Sequence, residues 1–469
     1  MTGRLIVLVV GLVLIFLIAG GFAVAWKPAI DPIAPPQPAA FDEALVRRGA
    51  ELAAIGNCMT CHTAAGGSAL AGGRALPTPF GTIYSSNITP DPDTGIGRWS
   101  EPAFQRAMRE GVDRAGHHLY PAFPYNHFTL VTEGDNKALY AYLMTRDVVT
   151  AKIPENTLRF PYNLRIALAG WKLLFLRKGP FEPNRSQSEA WNRGAYLVEG
   201  LGHCGACHTQ RNALQAERRG ERLAGGEVEG WTAYALNHAS PAPMPWDQPA
   251  LAFYLKNGWH SVHGIARGPM AEVTQNLASA SDADVQAIAT YIASAMGEPS
   301  AERKRRGEAV FAEARRSAAG ASGPSGETGS TSAAAQQNSD APGALIYASA
   351  CAVCHESGRA LPFDGIYLAL STAMYGPDPK NLISVTMFGL PGAEGEQSPI
   401  MPGFAGALTD AQLTALVAYL RQRFSDQPQW QDIAQLIREA RSGERSVIIY
   451  PTHASTSGPG DASQRGSPW

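Results

Sequence analysis

Three copies of one short pattern constrain this chain more than any other feature. Cys58-Met59-Thr60-Cys61-His62, Cys204-Gly205-Ala206-Cys207-His208 and Cys351-Ala352-Val353-Cys354-His355 each place two cysteines three apart, with a histidine directly after the second. The chain has six cysteines and the motifs use all of them, so none is left for a structural disulfide. Cys-x-x-Cys-His is the pattern of covalent c-type haem attachment. The thiols form thioethers with the vinyl groups, and the adjacent imidazole reaches the iron. A thioredoxin-like Cys-x-x-Cys needs no histidine, and zinc needs paired Cys-x-x-Cys sites or distant histidine pairs. Neither explains the same histidine three times. The residues predict three covalently bound haem c groups on Cys58, Cys61, Cys204, Cys207, Cys351 and Cys354, with His62, His208 and His355 as iron ligands.

The motifs sit in an internal repeat. A helix carrying Gly49-Ala50, Gly194-Ala195 or Gly343-Ala344 leads into each motif. A closing helix follows, with Ala138–Leu143, Ala287–Ile292 or Ala415–Leu420. A small residue on one helix lets the other cross closely, and Tyr142, Tyr291 and Tyr419 are expected at the crossing. Ser281 and Thr409 read as N-caps of closing helices. The expected fold class is all-α, with three tandem haem domains similar to class I cytochrome c over 41–150, 187–298 and 342–425. Such small domains bury little apolar surface without haem.

The remaining stretches are read from composition. Residues 4–26 contain an uncharged apolar run, Leu5 to Trp26, long enough to span a bilayer as a helix. It is read as a retained transmembrane anchor, although Ala23-Val24-Ala25 also resembles a cleavage site. Because c-type haem is normally attached outside the cytoplasm, the haem domains are expected on the periplasmic side of a bacterial inner membrane. Residues 27–40 are a Pro-rich spacer. Segment 151–186 connects the first two domains. Its apolar stretch Leu164–Leu176 is too short to span a membrane, and two readings stay open: a surface resting on bilayer or partner, or a buried connecting helix. Residues 299–341 read as a flexible linker and 426–469 as a partly disordered extension. With net charge −2, nothing argues for nucleic acid.

Electron-transfer haems of this kind pair the histidine with Met or a second His, and axial Met raises the potential. The third repeat offers Met401 in Pro399-Ile400-Met401-Pro402. The second offers Met270 in Gly268-Pro269-Met270, with Met244 as its rival. In the first repeat Phe123-Pro124 stands where a Met-Pro is expected, and phenylalanine cannot bind iron. His127, four residues on, is the expected ligand, giving a bis-His haem, with Met144, then His118 and His117, behind it.

With these loops in place, the chain resembles the membrane-bound triheme cytochrome c subunits of bacterial periplasmic dehydrogenases, which accompany alcohol, gluconate, fructose, aldehyde and nicotinate dehydrogenases. The likeness covers about residues 41–425. It rests on the three motifs with Leu119–Pro124, Ala138–Leu143, Gly202-His203-Cys204, His263-Gly264, Gly268–Met270 and Met401-Pro402. It implies a non-catalytic subunit that takes electrons from a dehydrogenase catalytic subunit and passes them to ubiquinone or a terminal oxidase. Tyr125-Asn126-His127-Phe128 is closer to members whose partner carries molybdenum and iron–sulfur clusters than to those with a flavin or quinone partner. The linker at 300–341 and the extended tail depart from the usual pattern. The alternative is a haem enzyme, a peroxidase or reductase, with an open iron site in the first domain. No separate catalytic constellation stands out.

Overall fold

The computed structural model describes residues 26–320, 341–356, 367–390 and 401–443, with six positions within 1–25. Among these residues no helix is long and apolar enough to cross a membrane. The apolar run at 5–26 lies almost wholly outside them. The chain divides into two compact units. The first is Met1–Pro241 with Pro245–His260 and Pro269–Lys304. The second is Ala242–Met244, Ser261–Gly268 and Arg305–Trp469.

In the first unit, α1 (Glu43–Ile55) begins where the Asp42 carboxylate accepts from the Leu45 amide. It buries Leu52, Ala53 and Ile55 and leads into the short α2 (Cys58–His62). The hairpin β1 (Ala75–Thr78) and β2 (Gly81–Tyr84) follows. Next, α3 (Glu101–Glu110) is capped by Ser100 and stopped by Gly111, whose φ of 61° favours glycine. Thr132 caps α4 (Glu133–Met144). Helices α1 and α4 cross at Gly49, where a Cβ would lie 2.0 Å from the Ala138 carbonyl oxygen and 2.6 Å from Tyr142 Cβ. Only glycine permits that approach.

The connecting stretch folds as α5 (Leu168–Phe175) and matches neither reading in full. Ala169 and Lys172 are buried, while Leu173 is 71% and Leu174 63% exposed, with Phe160 and Ile166 exposed beside them in sequence. Lys172 Nζ donates to the Gly111 carbonyl and to His118 Nδ1 at 2.9 Å. His118 Nε2 in turn donates to the Ala25 carbonyl at 2.8 Å. Burial pulls Lys172 down to about 7.

The second repeat rebuilds the first. It runs through α6 (Glu189–Tyr196), a π-helical turn at Leu197–Leu201, α7 (Gly205–His208), the hairpin β3 (Gly226–Val228) and β4 (Trp231–Ala233), α8 (Gln248–Asn257), α9 (Pro269–Leu277) and α10 (Asp282–Met296). Here α6 and α10 cross at Gly194, whose Cβ would lie 2.0 Å from the Ala287 oxygen and 2.8 Å from Tyr291 Cβ. The two repeats do not keep separate cores. One apolar cluster runs from Leu52 and Ile55 through Leu139, Leu143, Leu197 and Leu201 to Ile288 and Ile292. Each such side chain contributes roughly 1.5–3 kcal/mol by its burial.

A charge cluster closes the seam. Arg193 lies 2.7 Å from Asp284 and 3.7 Å from Asp135. Arg48 lies 3.3 Å from Asp284 and 3.6 Å from Asp135. These are repeat equivalents: each arginine precedes the crossing glycine, and each aspartate is the third residue of a closing helix. The third repeat carries Pro342 and Gln412 at those positions and so offers no such charges.

The stretch expected as a linker begins with α11 (Ala301–Gly320), because Ala, Glu and Arg are strong helix formers; residues 321–340 lie outside the described residues. In the second unit, α12 (Pro342–Ile346) and a π-helical turn lead to α13 (Ala352–His355). Then come α14 (Lys380–Phe388) and α15 (Asp410–Phe424), the latter with a full capping box between Thr409 and Gln412. The crossing recurs: a Cβ at Gly343 would lie 2.2 Å from the Ala415 oxygen and 2.7 Å from Tyr419 Cβ. The extension opens with an ordered α16 (Ile433–Ser442), which buries Ile433, Ile437 and Ala440 against this core. Arg441 fixes it to Asp410 at 2.6 Å and to the Leu408 carbonyl at 2.9 Å.

Candidate haem-binding sites

Each motif histidine ends a short helix that starts at or near its first cysteine. The residue before the first cysteine is left-handed in two repeats, Asn57 at φ 53° and His203 at φ 38°, which turns the chain sharply into the motif. His62 Nδ1 lies 2.7 Å from the Ser86 carbonyl, and His208 Nδ1 lies 2.6 Å from the Tyr234 carbonyl. A carbonyl only accepts, so Nδ1 carries the proton and Nε2 keeps its lone pair. Burial depresses both imidazoles and holds them neutral. This is the tautomer an iron ligand needs. His355 Nδ1 is buried with no partner among the described residues, and the segment 357–366 that follows its motif lies outside them.

A loop common to both sites in the first unit holds these histidines. The Gly72 amide donates to the His62 carbonyl at 2.7 Å and the Gly225 amide to the His208 carbonyl at 2.9 Å. Thr63 Oγ1 accepts from the Leu70 amide at 3.1 Å, and Thr209 Oγ1 from the Leu223 amide at 3.0 Å. Leu70 and Leu223 both adopt positive φ, 60° and 56°. The signal was present as Leu-Ala-Gly-Gly at 70–73 and again at 223–226, each after a Cys-His-Thr. Periodicity of helices does not reveal it, because it is a loop.

All six cysteines are unpaired. Burial pushes the Cys58 and Cys204 thiols up to about 12. Two unpaired thiols beside a neutral imidazole with an available Nε2 fit a covalently attached haem. A structural zinc site needs four ligands, and no cluster of three or more metal-type ligands occurs among the described residues.

The expected sixth ligands fare differently. Met401 is held by paired backbone hydrogen bonds to Leu390, at 2.8 and 2.9 Å, and its side chain is half-buried. Met270 stands at the start of α9, half-buried against the first unit's core. Met244, its rival, falls in the second unit by the division above. His127 is the residue expected at the first iron. Its Nδ1 lies 2.7 Å from the Glu199 carbonyl and its Nε2 2.7 Å from Glu217 Oε1, and both partners flank the second motif. The side chain is buried with both nitrogens engaged. In this arrangement it is a strut between loops. Burial alone would depress this imidazole, but the Glu217 carboxylate outweighs it and raises it. His118 is engaged at both nitrogens, by Lys172 and the Ala25 carbonyl, and His117 is exposed and paired with Asp113 at 3.1 Å. Met144 is fully buried at the end of α4.

Comparison with known proteins agrees with this geometry. The family model described as Cytochrome c matches residues 46–147, and the one described as Cytochrome C oxidase, cbb3-type, subunit III matches 338–420. The chain is 43% identical to a nicotinate dehydrogenase subunit of Pseudomonas putida over 90% of its own length, and spans 34% of that longer protein. It is 34% identical to the fructose dehydrogenase cytochrome subunit of Gluconobacter japonicus, covering 88% of this chain and 86% of the relative. It is 36% identical to the gluconate 2-dehydrogenase cytochrome c subunit of Pantoea cypripedii, covering 81% and 86%. Cytochrome c domains carry covalently bound haem c, and the unpaired thiols and oriented imidazoles found here suit it. The chain belongs to the cytochrome c subunits of dehydrogenases.

Proposed function

We propose that this chain is a triheme electron-transfer subunit, which takes electrons from the catalytic subunit of a periplasmic dehydrogenase and passes them to ubiquinone or a terminal oxidase. The observation that carries this reading is the matched pair of histidines, each with Nδ1 fixed on a carbonyl beside two unpaired cysteines. When bound, c-type haem supplies a one-electron ferric–ferrous couple. Cys58 and Cys61, Cys204 and Cys207, and Cys351 and Cys354 hold the three groups. His62, His208 and His355 would ligate the irons, with His127, Met270 and Met401 as the second ligand at the first, second and third sites.

The partner is read from the relatives. The match to a nicotinate dehydrogenase subunit, at 43% identity over most of this chain, favours a catalytic subunit with molybdenum and iron–sulfur clusters over one with a flavin or quinone. Residues 4–26 anchor the chain in the inner membrane, with the haem domains in the periplasm. The exposed apolar residues of α5 support this, since Lys172 links that helix through His118 to Ala25, where the apolar run ends. A second reading, an enzyme with an open iron at the first site, gains from the engagement of His127. Purification of the complex in mild detergent, with mass spectrometry and metal analysis, tests the partner. Molybdenum and iron–sulfur in the co-purifying subunit are expected; a flavin or quinone partner would overturn that choice. A high-spin signal in the oxidised protein would favour the enzyme reading.

A further inference from the structure

Three residues tie the first attachment motif to the second repeat. Arg74, buried just before β1, donates to the Thr60 carbonyl inside the first motif and to Glu272 Oε2 at 3.1 Å. It also reaches Glu229 Oε1 at 3.5 Å, in the turn of the second hairpin. Asn276 on α9 donates at 3.0 Å to both Asn57 Oδ1 and Thr60 Oγ1. His203, which precedes Cys204, meets the Gly56 carbonyl at 3.3 Å. The hairpin that carries Glu229 abuts the second motif, since a Cβ at Gly226 would lie 2.4 Å from the Cys207 carbonyl oxygen. Burial pushes Cys207 up to about 11, eased by Arg211, with Glu229 and Cys61 adding to the rise. Glu229 and Arg74 act on Cys61 as well.

A thioether sulfur marks the edge of the ring it joins, so the cysteines locate the edges whatever fills the crevices. We propose that the Arg74–Glu229–Glu272 cluster is a positioning device that holds the Cys61 and Cys207 attachment edges side by side, making the first and second centres direct redox neighbours whose potentials it sets together. This rests on the reading that both motifs carry haem. One electron leaves the reduced centre and arrives at the oxidised one, and no atom or proton is transferred. Arg74, on the Thr60 carbonyl, favours the electron-rich form at the first edge, while Glu229, between the two, opposes it at both.

The test uses the full-length haem-loaded protein. The intact mass first counts attached haems; fewer than three would refute the underlying reading and not this one. Potentiometric titration then follows Glu229→Gln and Arg74→Gln. Glu229→Gln is expected to raise two of the three potentials together, and Arg74→Gln to lower one of that pair most, with the third unmoved and Arg74→Lys restoring wild type. Electron paramagnetic resonance of the oxidised protein is expected to show spin coupling between two centres. If Glu229→Gln shifts one potential only, or none, or if the three ferric signals are uncoupled, the proposal is wrong. Glu229 lies in the turn of the second hairpin, outside both motifs, so its variant keeps the test open if Arg74→Gln fails to fold.

Discussion

Replacing Gly49 by alanine should damage this protein far more than one methyl group suggests. The added Cβ would sit 2.0 Å from the Ala138 oxygen and 2.7 Å from its carbonyl carbon, both backbone atoms that cannot rotate away. Ordinary contact begins near 3.4 Å, so α1 and α4 would have to part by roughly 1.4 Å, the difference. A gap of 0.5–1 Å already forfeits about a quarter to a half of the dispersion energy across a packed face. Overpacking of this sort costs about 3 kcal/mol or more, against about 1 kcal/mol gained from alanine's helix propensity. The net loss of ~2 kcal/mol corresponds to a fall of about 4–8 °C in the melting midpoint. Gly134→Ala, also in α4 but with nothing within 4 Å of the new Cβ, is the control and should be neutral or stabilising. Thermal unfolding of the haem-loaded variants by circular dichroism reads both. Equal midpoints for the two would refute the close-crossing argument.

His127→Ala should convert one haem to high-spin, as loss of the first iron's ligand requires; low-spin haems throughout would leave His127 as a strut between the Glu199 carbonyl and Glu217. The His127–Glu217 pair also has a pH signature. Glu217 sits below its ordinary value and His127 above its own. Their mutual stabilisation is therefore lost as pH falls through the lowered Glu217 value or rises through the raised His127 value, and Glu217→Gln should flatten both limbs in urea titrations. Asp91 is held down to about 2 by the Thr94 amide and the Thr150 hydroxyl. It contributes stability above its ordinary 3.8 that is lost as pH falls from there toward 2, and Asp91→Asn should remove that acid-side loss. Met401→Ala should lower one potential while the haem stays attached, and an unchanged potential would exclude that ligand.

Much of this was legible in the sequence, because covalent chemistry and close crossings leave sharp marks. The motifs name the attachment residues, and Gly-Ala opposite Ala-x-x-x-Tyr names the crossing, found three times as expected. What stayed hidden depends on long-range partners. His127 reads as a ligand from its place after Phe123-Pro124, and the sequence does not show that the fold brings the Glu199 carbonyl and Glu217 to its two nitrogens. The helix at 301–320 was masked by a neighbouring low-complexity stretch, and α16 by a tail ending in Gly, Ser and Pro. The pairing of the first two repeats was readable in principle. Arg48 and Arg193 stand against Asp135 and Asp284, where the third repeat has Pro342 and Gln412.

That charge seam also orders the birth of the molecule. α1 meets α4 once residue 144 has emerged, but Arg48 finds Asp284, and Asn57 finds Asn276, only across 236 and 219 positions of chain. Contacts of such separation form late, after much loop-closure entropy has been lost. A nascent chain stopped between the two repeats should therefore hold an unfinished first half, with Leu52 and Ile55 bare of their later partners. The two N-terminal haem pockets mature as one cooperative event.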